Sequence, residues 1–133
     1  MPVKVLDSFA LIAYFRDELG AAAVETILVN ASKKDNQLHM TDVNYAEVKY
    51  SIIKKDGSEA WEEAAKILHG LPIVFHSTTR AMADTAADFK ARHKMSLADA
   101  FAAALAKEKK AELVTADLEF KEIEKEIKIG WLK

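Results

Sequence analysis

Four carboxylates in this chain sit beside apolar stretches. They are Asp7 in VKVLDSFALIAYF, Glu47 in TDVNYAEVKYSI, Asp99 in MSLADAFAAALA and Asp117 in AELVTADLEF. A carboxylate is costly to desolvate next to apolar sequence unless something compensates its charge. One such acid is ordinary. Four of them, in a chain with no cysteine and no paired histidines, suggest a single shared cation. Hard divalent cations such as Mg²⁺ and Mn²⁺ take oxygen ligands and often contact phosphates. The chemistry within reach is binding of a phosphate-bearing ligand through such a cation.

Each acid also has a plainer role. Ser96 and Asp99 match a capping pair at a helix start, and an acid in a first helical turn is favoured by the dipole. Asn44 and Glu47 are spaced for a similar pair. Asp7 and Asp117 can each cap a helix that begins at the next residue. Capping explains why each acid opens a helix, but not why four helix starts should fall at one end of a sheet. Other chemistries find less support. His39, His69, His76 and His93 show no metal-binding spacing, and no glycine-rich phosphate loop is present. Ser8 and Ser96 lack a nucleophile-elbow context. A phosphoryl-aspartate hydrolase is a nearer rival, yet the residue two beyond Asp7 is Phe9 rather than a second acid.

The elements that must position these acids alternate in type. VKVLD at 3–7 reads as a buried strand, followed by a helix with Phe9, Ile12 and Phe15 near one face. Gly20 breaks that helix and AAAVETILVNA begins another, before a polar loop at 33–37. Strands are expected at 38–41, at 72–76, within ELVTAD and within IKIGWL. Helices are expected over VNYAEVKYSIIKK, over EAWEEAAKILHG with Ser58 as its cap and Glu62 paired with Lys66, and over 78–94. SLADAFAAALAKEKK and LEFKEIEKE read as two more. This pattern predicts an α/β fold with a mainly parallel sheet of four to five short strands. Asp7 and Asp117 then lie at or just past the carboxyl ends of strands, where open parallel sheets bind ligands.

Composition bounds the rest. At 133 residues the chain is expected to form one domain, 1–133, large enough for a core without disulfides. No stretch is long and apolar enough for a membrane span, and the first residues do not read as a signal peptide. A cytoplasmic protein is expected. A formal charge of −2 excludes a chain that is basic throughout, so a phosphate-rich ligand needs local cations. Arg80, Arg92, Lys94, Lys49 and Lys121 are candidates for phosphate contacts. The aromatics Phe9, Tyr14, Phe15, Phe89, Phe101 and Phe120 are expected in the core, while Tyr45, Tyr50, Trp61 and Trp131 are open to an interface role.

With VLDSFALIAYF, NYAEV, SLADAFAAALA and TADLEF in this order and at this spacing, the chain resembles a PIN domain. More narrowly, it resembles the VapC toxins of type II toxin–antitoxin systems. The resemblance implies a three-layer α/β/α fold with helices on both sides of the sheet, and a Mg²⁺- or Mn²⁺-dependent ribonuclease site. Asp7, Glu47, Asp99 and Asp117 would form the acidic quartet, with Thr115 as the small hydroxyl residue two positions before the last acid and Glu119 as a weaker candidate. It further implies an RNA substrate, a homodimer and a VapB-type antitoxin partner. An RNA-processing nuclease and a non-catalytic PIN scaffold are the alternative readings.

Overall fold

The structure is a computed structural model that describes residues 3–34 and 36–132. Asp35, in the loop expected at 33–37, lies outside the described residues. In chain order the elements are β1 (Lys4–Leu6), α1 (Ser8–Arg16), α2 (Ala21–Lys33), β2 (Leu38–Thr41), α3 (Asp42–Asp56), α4 (Ser58–His69), β3 (Ile73–His76), α5 (Arg80–Arg92), α6 (Leu97–Lys109), β4 (Glu112–Thr115) and β5 (Ile129–Trp131). A 3-10 helix, Leu118–Ile123, sits between the last two strands.

The five strands form one sheet in the order β3-β2-β1-β4-β5, and every pairing is parallel. Successive residues of a strand point to opposite faces. Val5 and Leu113 accordingly pack with α5, α6 and Phe120, while Leu6, Leu38, Met40 and Val114 pack with α1, α2, α3 and α4. The result is a three-layer α/β/α fold. The chain winds outward from β1 to β3, then returns across the sheet through α5 and α6 to lay β4 on the other side of β1. That reversal creates a switch point between β1 and β4, and open α/β sheets bind ligands at the carboxyl end of such a point.

α6 is buried along its whole middle, from Asp99 to Ala106. Its sequence ADAFAAALA explains how: small alanines let it sit between the sheet and α5, and alanine favours helix. No helix of the described residues is long and apolar enough to cross a membrane.

Several local expectations are corrected. Phe9 is 39% exposed, because α1 lies on the sheet through Ala10, Leu11 and Ala13, while Ile12, Tyr14 and Phe15 are half-buried against the same core. Phe89, Phe101 and Phe120 are buried, and Trp61 is buried beside Tyr45. Ser58 does not cap α4; it is the first helical residue, and Gly57 occupies the cap position with a φ of 95°, open to glycine without strain. Lys66 approaches Glu63, three residues before it, rather than Glu62. α3 is capped by Thr41, whose hydroxyl accepts from the Asn44 N–H, so Asn44 and Glu47 are not a capping pair.

At the amino end of β4, Glu112 accepts from Lys4 at 2.7 Å and faces Lys128 at 3.5 Å. Its side chain lies over Gly130 of β5, where a Cβ would collide with the Glu112 carboxylate. Gly130→Ala should push this carboxylate off Lys4 and cost roughly 1 kcal/mol. Denaturant unfolding of the variant checks this, and unchanged stability would show that Glu112 swings aside without loss.

Candidate metal centre

The carboxyl ends of β1 and β4 carry the first two acids. Asp7 follows β1 and is 1% exposed. Its Oδ1 caps α1 by accepting from the Ala10 N–H at 3.0 Å, and its Oδ2 accepts from the Thr115 hydroxyl at 2.5 Å. Thr115, the fully buried last residue of β4, also accepts from the Asp117 N–H at 2.9 Å. One hydroxyl therefore ties the two acids on neighbouring strands. Asp117 caps the 3-10 helix through the Glu119 N–H. Asp99 enters from the other side, in the first turn of α6, where its N–H donates to Ser96 Oγ at 3.1 Å.

Asp99, Asp117 and Glu119 each offer an oxygen within 4.8 Å of the others. Asp7 and the half-buried Glu47 on α3 stand outside that trio, yet the charge of each is felt at Asp99, and Glu47 also acts on Asp7. The structure thus brings all four sequence-selected acids into electrostatic reach of one another. Glu119, the weaker candidate of the sequence reading, is grouped with Asp99 and Asp117.

The electrostatics of this cluster are those of crowded like charges. Burial, opposed by hydrogen bonds from Thr115 and the Ala10 N–H, pushes the Asp7 carboxyl up to about 7; Asp117 and Glu47 add to the rise. Burial also pushes Asp99 up to about 8, followed by the charges of Asp117 and Asp7, a hydrogen bond with Asp117, and Glu47. Among the described residues, no lysine, arginine or histidine forms an ion pair with any of these acids. An all-oxygen donor set with uncompensated negative charge suits a hard divalent cation.

Of the candidate phosphate contacts, Arg92 pairs with Glu126 at 3.0 Å and Lys49 lies over the Trp61 ring. Arg80, Lys94 and Lys121 are exposed and form no ion pair among the described residues. The structure also joins two histidines that lie far apart in sequence. His39 Nδ1 and His76 Nε2 are 2.8 Å apart across β2 and β3. Burial, then Lys109, lowers both pKa values.

Sequence reasoning missed a buried polar cluster beneath the acids. Asn44 on α3 hydrogen-bonds Ser8 on α1, Thr41 on β2 and the Ala98 carbonyl on α6. A signal for it existed: Asn44 is in phase with the buried positions Val48, Ser51 and Ile52 of the same helix.

The family model of the PIN domain matches residues 4–126. No curated protein sequence matches the chain. Among solved structures, VapBC2 from Rickettsia felis bound to a promoter DNA fragment is similar with a TM-score of 0.80 at 15% identity, covering 98% of this chain and 99% of that one. DNA-bound VapBC from Salmonella typhimurium is similar with a TM-score of 0.70 at 18% identity, covering 98% of each chain. VapC20 from Mycobacterium tuberculosis, described as a sarcin-ricin loop cleaving toxin, has a TM-score of 0.68 at 15% identity, covering 83% of this chain and 86% of that one.

Proposed function

Because the chain belongs to the PIN domain family, we propose that it is a metal-dependent endoribonuclease that hydrolyses RNA phosphodiester bonds as the toxin of a type II toxin–antitoxin pair. The observation that carries this reading is the gathering of Asp7, Asp99 and Asp117 at the β1–β4 switch point with no basic side chain paired to them among the described residues. The likeness to VapC20, a toxin that cleaves the sarcin-ricin loop, supports RNA as the substrate. The likeness to VapBC complexes supports a VapB-type antitoxin as partner.

On this reading Asp7, Glu47, Asp99 and Asp117 would hold Mg²⁺ or Mn²⁺, with Glu119 as a further ligand from the 3-10 helix. Such a cation would supply charge neutralisation at the phosphate and a more acidic water. The chain's own residues do the remaining work. Thr115 holds the Asp7 carboxylate in one rotamer and fixes the backbone at Asp117. Glu47, half-buried and with no hydrogen-bond partner among the described residues, would orient the attacking water. Arg80, Lys94 and Lys121 supply phosphate contacts at the surface.

The deciding experiment incubates purified protein with a mixed RNA pool in Mn²⁺, in Mg²⁺ and in EDTA, beside Asp7→Asn. Cleavage that needs the metal and Asp7 supports the reading; cleavage that survives EDTA and the substitution overturns it. The homodimer is tested by light scattering on the eluted protein, where twice the mass of one chain is expected.

A further inference from the structure

Asn44 is 0% exposed, and every polar atom of its side chain is hydrogen-bonded. Its Nδ2 donates to Ser8 Oγ at 2.9 Å and to the Ala98 carbonyl at 3.2 Å. Its Oδ1 accepts from the Thr41 hydroxyl, whose oxygen accepts in turn from the Asn44 N–H at 2.9 Å. Ser8 Oγ also lies 3.3 Å from the Asn44 carbonyl, to which it donates. No buried side-chain polar atom among the described residues lacks a partner.

These partners have a common address. Ser8 is bonded to Asp7, Ala98 is bonded to Asp99, and Asn44 itself precedes Glu47 by less than one turn of α3. The network contains no carboxylate, yet it joins the starts of the three helices that present three carboxylates. When ionised together, as cation binding requires, those carboxylates repel one another, and the repulsion opposes holding the helix starts together. A lysine or arginine at the centre would relieve the repulsion but would also compete with the cation. An amide ties the helices while leaving the negative charge of the site intact.

We propose that Asn44 is the positioning residue of the acidic centre, holding the starts of α1, α3 and α6 at the separation at which Asp7, Glu47 and Asp99 act on one cation. Asparagine is specified by the donor count. Aspartate lacks both donors that reach Ser8 and Ala98, and leucine, of similar size, keeps the backbone bonds to Thr41 and Ser8 but removes the side-chain bonds to Thr41, Ser8 and the Ala98 carbonyl. The proposal rests on the metal reading above.

The test measures Mn²⁺ affinity on folded protein, well below each melting temperature, for the wild type, Asn44→Leu, Ser8→Ala and Ile52→Val. The last removes a buried methylene from the same helix, two turns from the network. Asn44→Leu should weaken Mn²⁺ binding by about 10–100-fold, as loss of supporting hydrogen bonds does at metal sites. Ser8→Ala should weaken it by several-fold, and Ile52→Val should lower stability yet leave affinity within about twofold. A purely structural role would give Asn44→Leu and Ser8→Ala the affinity of the wild type, and that result overturns the proposal. If Asn44→Leu fails to fold, Ser8→Ala decides. A wild type that binds Mn²⁺ but leaves RNA intact overturns the ribonuclease reading alone, while a wild type that binds no Mn²⁺ overturns both.

Discussion

Asp99→Asn should abolish RNA cleavage, with a loss of about 10³-fold or more, and should at the same time stabilise the protein in EDTA. The two effects share one cause. Asp99 is 6% exposed and is pushed up to about 8 by burial and by the charges of Asp117, Asp7 and Glu47. In the unfolded chain this acid ionises freely, so folding at neutral pH opposes its ionisation at about 1.4 kcal/mol for each unit of displacement. Asparagine has the same shape and no charge to lose. The cap to Ser96 uses the backbone N–H and survives the change. Thermal unfolding in EDTA at about pH 8 should show a gain of a few kcal/mol, the stability–activity trade-off expected of a built site. A variant that cleaves as fast as the wild type, or melts lower in EDTA, contradicts this account.

Without metal, stability should fall as pH rises from about 4 to about 8. The folded state keeps protons on Asp7 up to about 7 and on Asp99 up to about 8, whereas the unfolded chain releases both near 3.8. Within that window the folded state binds more protons, so unfolding free energy declines with pH at up to roughly 1.4 kcal/mol per group per pH unit. The decline from Asp7 ends near pH 7 and that from Asp99 near pH 8. Below this window the sign reverses. Glu112 beside Lys4, Glu126 beside Arg92 and Asp56 beside Arg16 have lowered pKa values, so their contribution is lost as pH falls below the ordinary carboxylate range. Mg²⁺ or Mn²⁺ binds the ionised carboxylates and should therefore raise stability more at pH 8 than at pH 5. Denaturant curves at those two pH values, with EDTA and with metal, measure the effect; a flat or rising profile in EDTA would show that the acids ionise without cost.

The sequence revealed most about features that depend on short stretches of chain. Asp7 and Asp117 end apolar β-branched runs, so their place at the carboxyl edge follows once the sheet is parallel. Thr115 and Asp99 follow from short motifs whose spacing the backbone preserves. Features that depend on register across the sheet were not legible. The His39–His76 contact exists because β2 and β3 pair Thr41 with His76, which no local spacing encodes. Phe9 misled because α1 has two faces of comparable apolarity, and the one built from small residues packs closest to the sheet. Asn44 near a helix start reads as a capping residue, although its phase with Val48 and Ile52 signals burial; its partners Ser8 and Ala98, distant in sequence, are what no local pattern encodes.

The central strand of the sheet is the first to be synthesised and the last to be enclosed. β1 is flanked by β2 and by β4, and the Thr115–Asp7 hydrogen bond closes a loop of 108 residues. At ~5–20 residues per second, Asp7 leaves the ribosome several seconds before Thr115 exists to hold it. Contacts this distant along the chain also slow the search for the native state. A nascent or prematurely ended chain lacks Thr115, Asp117 and Glu119, and so carries only fragments of the acidic centre. Whatever this centre does, it does only once the chain has been made through Asp117 and Glu119.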